Sequence, residues 1–311
     1  MRPAILLIGK NGQVGRDLER LLPQVGEVTA LGREQLDLSR PDEIRRVFET
    51  FRPALIVNAA AYTAVDQAET DENTARSVNA DAVAVMAEEA KKIGAFVIHF
   101  STDYVFDGLK TTPYDENDPP NPLNVYGRTK LEGELAILQS GVPHLIFRTS
   151  WIYSTYGRNF LLTILRLASE REELRVVRDQ IAAPTWSWEI ASATVKILSR
   201  FHWHGHDSMP DFAGLYHMTA AGQASWHEFA SAILYEADLA PKNTGWLTQA
   251  AGNKPLIAGR VIGITTQEYP TPARRPRYSV LSNQRLMQTF GIEMRDWRAG
   301  LHSAFDNAGE V

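Results

Sequence analysis

No cysteine occurs among the 311 residues, and that one absence removes thiol nucleophiles, disulfides, thiolate metal ligands and iron–sulfur clusters together. It fits a reducing cytoplasm. No apolar run approaches the ~20 residues a membrane-spanning helix needs. The opening Met1-Arg2-Pro3, followed by the apolar stretch 4–9, is too short for a signal segment and lacks a small-residue cleavage site. A cytoplasmic protein with no membrane partner is therefore expected. Excess positive charge is missing as well: the formal charge is -5, which argues against a protein built to grip nucleic-acid phosphates. Repeats and low-complexity tracts are absent. What remains is 44% hydrophobic and 22% charged, enough apolar material for a sizeable core in one body with two lobes or in two domains.

Short β-rich apolar runs at 4–8, 27–31, 54–58, 95–100 and 144–148 alternate with helix-spaced segments at 14–22, 42–51, 73–93 and 125–138. That alternation predicts an α/β, Rossmann-type doubly wound parallel sheet covered on both faces. Ser39 reads as an N-cap ahead of Pro41, and Gly94 as a helix stop. After residue 150 the pattern loosens into helices at 160–170, 189–199 and 227–237, strands at 174–178 and 215–219, and a Pro- and Arg-rich loop at 269–277. The expected organisation is a dinucleotide-binding domain over 1–150, completed by part of 174–200, with a smaller C-terminal substrate-binding lobe over 151–311.

Gly9, Gly12 and Gly15 follow the first strand directly and open the first helix, with Gln13 and Val14 between them. A strand-to-helix turn needs glycine anyway. The placement adds more: Gly9 takes a tight turn, Gly12 lets the backbone approach a pyrophosphate, and Gly15 lets helix and strand pack closely. The helix N-terminus then offers its free N–H groups to the phosphates. A carboxylate at the end of the second strand marks NAD in this fold. Here Gly32 and Arg33 stand there, leaving room and positive charge for a 2′-phosphate. NADPH is the expected cofactor and NADH is disfavoured. Asp37, beside Leu38, is an acceptor for the adenine.

Tyr126 and Lys130, four residues apart, share one helix face. A cation near a phenol favours its ionised form and lowers its pKa from about 10, suiting Tyr126 to proton transfer. Surface helices often carry such pairs by chance. Ser101-Thr102-Asp103 ends the preceding strand, where doubly wound sheets hold their ligands. From there Thr102 can donate to a substrate carbonyl.

Together with Asn58-Ala59-Ala60-Ala61-Tyr62-Thr63 and the Ser101–Phe106 segment, these motifs make the chain resemble the extended short-chain dehydrogenase/reductases. Within them it is most similar to the dTDP-4-dehydrorhamnose reductases, through Arg148-Thr149-Ser150-Trp151, Asp179-Gln180, Ala183-Pro184-Thr185, Gly214-Leu215-Tyr216-His217 and Tyr269–Ala273. The resemblance covers nearly the whole chain. It implies reduction of the 4-keto group of dTDP-4-dehydro-L-rhamnose to dTDP-L-rhamnose. It also implies Gly12, Gln13, Val14, Ala61, Tyr62 and Thr63 on the cofactor with Tyr126 and Lys130, and Thr102, Tyr126 and Lys130 as catalytic residues. Thr102, Asp103 and Trp151 would contact the substrate, although a tryptophan after an apolar strand is often simply core.

Some relatives are thought to hold magnesium with glutamates at a dimer interface. Asp17 and Glu189 match only approximately, and Arg298 follows Trp297 where an acid would help, so no metal is expected, and monomer and homodimer both stay open. A 4,6-dehydratase would need a glutamate after Thr102-Asp103, where this chain has Tyr104. Another nucleotide-sugar reductase, a 4-epimerase and a non-catalytic subunit like the regulatory partner of methionine adenosyltransferase remain as alternatives. His202, His204 and His206 read as a surface loop rather than a metal cluster. Arg274, Arg275 and Arg277 read either as a diphosphate clamp or as a solvated basic loop.

Overall fold

The computed structural model describes residues 2–200, 212–240 and 245–306. The chain opens with β1 (Ala4–Ile8), α1 (Gln13–Leu21), β2 (Glu27–Leu31), α2 (Pro41–Phe51) and β3 (Leu55–Asn58). After two short helices, α3 (Val65–Ala68) and α4 (Glu72–Arg76), come α5 (Ala82–Ile93), β4 (Phe96–Thr102), α6 (Val125–Ser140) and β5 (His144–Thr149). A sixth strand, Gly214–His217, pairs with β5, giving the order Gly214–His217, β5, β4, β3, β1, β2, with every neighbouring pair parallel. The expected doubly wound sheet is present. The order reverses between β1 and β3, and the C-terminal ends of those strands open the crevice in which such sheets bind ligands.

The strands β1, β3, β4 and β5 read as largely apolar runs because both faces are covered, whereas the edge strand β2 is partly exposed. Ile5, Leu7, Val57, Ile98 and Phe147 point into one core with α1 and the helix Ser187–Leu198. Leu6, Ile8, Ile56, Val97 and Ile146 point into the other, with α2 and α5. This is the period-two alternation of a strand, apolar on both sides. Residues from far downstream, Tyr216, Leu286 and Phe290 among them, also fill the first core. A third core, built on Tyr153, Leu165, Phe229, Ile233 and Trp297, gathers the helices Phe160–Ala168, Trp226–Leu239 and Trp297–Asp306 beside the parallel pair Glu173–Val177 and Arg260–Ile264.

Two local expectations need correction. The helix expected over 73–93 is interrupted by a π turn at Ser77–Asp81. There the buried Asn79 amide takes both backbone groups of Tyr62, accepting from its N–H at 2.9 Å and donating to its carbonyl at 3.1 Å, a use typical of π bulges near sites. The N-cap of α2 is Arg40, with Pro41 as first helical residue. Ser39 instead donates its hydroxyl to the Asp37 carboxylate at 2.8 Å. Gly94 closes α5 at φ 67° as expected. No helix of the described residues is long and apolar enough to cross a membrane.

Candidate active site

A cleft of about 890 Å³ runs over the C-terminal ends of β1, β3 and β4. Its floor is the glycine loop. Gly9 sits at φ 91°, and a Cβ there would lie 2.6 Å from the Ala60 nitrogen. Gly15 allows α1 to press against the turn, since a Cβ there would lie 2.0 Å from the Gly9 carbonyl oxygen. Gly12 caps α1 with no side-chain hydrogen bond, so the first N–H groups of the helix face the cleft without a partner from the cap. A cradle open to backbone approach, with N–H groups aimed into it, fits a dinucleotide diphosphate.

Gly9, Gly12, Gln13, Val14, Arg33, Asp37, Leu38, Ala61, Tyr62, Thr63, Tyr126 and Lys130 all line this one cleft. Gly15 packs behind it. Arg33 is exposed at its rim. The Glu34 carboxylate, which the sequence reading passed over, accepts from Asn11 Nδ2 at 3.2 Å and lies within 2.7 Å of where a Gly32 Cβ would stand. A carboxylate and a guanidinium therefore both border the end of β2.

At the other end α6 brings in Tyr126 and Lys130. Asn124 caps the helix, accepting from Gly127 N–H at 2.8 Å. Gly127 lets α6 approach the turn after β4, because a Cβ there would lie 2.1 Å from the Tyr104 carbonyl oxygen. Lys130 is buried, with Nζ 2.7 Å from the Phe100 carbonyl and 3.2 Å from His99 Nε2. Burial pulls its pKa down to about 8, with Glu134 opposing.

The Tyr126 phenol behaves differently from the sequence expectation. Desolvation pushes it up to about 12, and the influence opposing this is a hydrogen bond with Thr102, with no lowering by Lys130, whose Nζ is engaged by Phe100 and His99. A phenol held protonated is a donor rather than a base.

Thr102 and Asp103 are buried just behind the cleft wall. Asp103 accepts from Thr102 Oγ1 at 3.2 Å and from Ser279 Oγ at 2.5 Å, and burial raises its pKa from 3.8 to about 7. An acid that is protonated when folded but ionised when unfolded weakens the fold as pH rises from about 4 to about 7. Replacing it by Asn removes that slope. Between about pH 5 and pH 8 the melting temperature of Asp103→Asn is expected to gain on that of the parent protein by on the order of five degrees. Parallel thermal melts across that range check it, and a constant offset would refute the raised pKa.

Trp151 adopts a positive φ of 44° and stacks on Trp226, centroids 3.4 Å apart and planes 8° from parallel. Trp226 Nε1 in turn donates to Gln180 at 3.2 Å. Trp151 thus reaches the second lobe rather than the nucleotide cleft.

Arg275 is held by Asp66 at 3.0 and 2.8 Å, whereas Arg274 and Arg277 are exposed. His202, His204 and His206 lie outside the described residues. Asp17 accepts from Ser187 Oγ at 2.6 Å, Glu189 lies 3.8 Å from Arg295, and Arg298 covers the Trp297 ring at 4.2 Å. Among the described residues no group of three or more His, Asp or Glu is placed to hold a metal ion.

Asn79, His99 and Ser279 were not singled out from the sequence, because their importance lies in contacts 17 to 176 residues away. Asn124 was legible in principle as a capping residue before an amphipathic run.

The family described as RmlD substrate binding domain matches residues 1–309. A dTDP-4-dehydrorhamnose reductase of Burkholderia thailandensis is 48% identical over 294 residues, covering 94% of this chain and 95% of that protein. The crystal structure of a dTDP-4-dehydrorhamnose reductase from Clostridium acetobutylicum superposes with a TM-score of 0.86 at 32% identity, covering 99% of this chain and 100% of the other. The Bacillus anthracis dTDP-4-dehydrorhamnose reductase, solved in complex with NADP, gives 0.85 and 32% with the same coverage.

Proposed function

Because the chain belongs to the RmlD substrate binding domain family, we propose that it reduces the 4-keto group of dTDP-4-dehydro-L-rhamnose to dTDP-L-rhamnose, with NADPH as reductant and Tyr126 as proton donor. The observation that carries this reading is the meeting, in one cleft, of the glycine cradle, the Arg33 cation and the Tyr126 and Lys130 pair. Gly12, Gln13 and Val14 would hold the diphosphate and Arg33 the 2′-phosphate, with Ala61, Tyr62, Thr63 and Lys130 along the rest of the cofactor. When bound, NADPH supplies the hydride that adds to the keto carbon.

The residues of the chain manage the proton. Tyr126 Oη gives its proton to the keto oxygen as the C–O bond becomes single. Thr102, hydrogen-bonded to that phenol, favours the phenolate left behind. Asp103, braced by Ser279, holds Thr102 in place, and the stacked Trp151 offers a flat surface to the nucleotide sugar.

The test is to mix the purified protein with enzymatically generated dTDP-4-dehydro-L-rhamnose and follow NADPH absorbance. Stoichiometric loss of NADPH with formation of dTDP-L-rhamnose is expected. A 4-epimerase would leave NADPH unconsumed, and a regulatory subunit would bind cofactor without turnover. Arg33→Ser is expected to raise KM for NADPH about ten-fold while leaving KM for NADH within about two-fold, since only NADPH carries the group that the guanidinium pairs with. Equal effects on both cofactors would remove Arg33 from that role.

A further inference from the structure

The segment 154–159, which leads from the sheet into the second lobe, crosses the glycine loop and is tied to it. Tyr156 Oη donates to the Gln13 carbonyl at 3.0 Å, and Asn159 Nδ2 donates to Gln13 Oε1 at 2.8 Å. Asn159 also ties the segment to itself, donating to the carbonyls of Ser154 at 2.8 Å and Tyr156 at 3.0 Å. The Arg16 guanidinium packs on the Tyr156 ring at 4.3 Å. Gly157, at φ 80°, turns the chain at a point where a Cβ would lie 3.5 Å from Gln13 Cγ. The next residue, Arg158, lines the cleft.

Three cationic side chains line that cleft. Arg33 stands at the end of β2, and Lys130 is buried against Phe100 and His99 at the opposite end. Between them, where α1 begins, the diphosphate of a bound dinucleotide would bring two negative charges. Arg158 is exposed, and its guanidinium forms no ion pair or hydrogen bond with another described residue. It follows Gly157, where a Cβ would lie 3.5 Å from Gln13, the first residue of α1.

We propose that Arg158 closes over the cofactor diphosphate from the second lobe, so that backbone N–H groups bind it from below and a guanidinium from above. The proposal rests on the reading of the cleft as a dinucleotide site. A guanidinium suits the task because its forked donors match phosphate oxygens two at a time. The tethers to Gln13 hold the segment in place beforehand, which lessens the ordering cost of binding. Arg158 would therefore act on any ligand with a 5′-diphosphate, whatever its 2′ substituent, in contrast with Arg33.

Isothermal titration of the full chain with NADPH, ADP and 2′-AMP separates the two arginines. For Arg158→Gln the dissociation constants for NADPH and ADP are expected to rise about ten-fold, with 2′-AMP within about two-fold of the parent protein. Arg158→Lys should fall between, and the ADP effect should shrink with added salt. The melting temperature should not change, since the side chain has no described contact to lose. ADP binding within about two-fold of the parent, or an equal loss for 2′-AMP, overturns the proposal. Failure of the parent protein to bind either NADPH or ADP would instead overturn the dinucleotide reading itself.

Discussion

Tyr126→Phe is expected to lower kcat by about 10²- to 10⁴-fold, the range that positioned acid catalysis supplies, while NADPH still binds within about two-fold. The ring keeps its edge-on contact with Tyr104, 5.8 Å between centroids, so the substitution removes one oxygen and little else. Without that oxygen the keto group has no acid beside it. Thr102 cannot replace it, because an alcohol is a far weaker acid than a phenol. Steady-state rates combined with titration of NADPH separate the two effects. A kcat within ten-fold of the parent would assign the proton to another donor.

The largest expected loss of stability lies further along the same helix. Glu134 and Arg148 form a buried two-point ion pair joining α6 to β5, with Nε to Oε1 at 2.9 Å and Nη2 to Oε2 at 2.6 Å. Their side chains are 1% and 4% exposed. Glu134→Ala strands a guanidinium in the interior, which costs about 3–5 kcal/mol and lowers the melting temperature by roughly ten degrees. The loss should also draw Lys130 further down, because Glu134 is the group that supports its charge. Replacing both partners by Met should recover most of the stability, since no charge is then left unpaired. Urea unfolding of the two variants checks this. A double variant as unstable as Glu134→Ala would show that the pair matters for packing rather than charge.

How much of this was legible depended on the distance over which each signal acts. The strands β1, β3, β4 and β5 announced themselves because burial on both faces made them largely apolar runs, and the glycine loop because its demands are local, at Gly9, Gly12 and Gly15. Tyr126 and Lys130 were visible through helical spacing. The pKa relation between them was not, because it depends on where Nζ points, and the Phe100 carbonyl and His99 decide that. Asn79 was hidden by its own helix: the periodicity of 73–93 is real, and the π turn answers to Tyr62, on a different segment. The short elements after residue 240 escaped because few periods fit into them and because their partners are distant in sequence: Leu286 and Phe290 pack in the first core with Tyr216, and Trp297 in the third with Phe229.

The sheet order has a consequence for synthesis on the ribosome. β5 emerges long before its neighbour Gly214–His217, and the core that both share is not sealed until Leu286 and Phe290 have followed. Throughout that interval the nascent chain carries an apolar strand with an open hydrogen-bonding edge, the arrangement most apt to pair with a neighbouring polypeptide. That edge is paired only once Gly214–His217 has been synthesised.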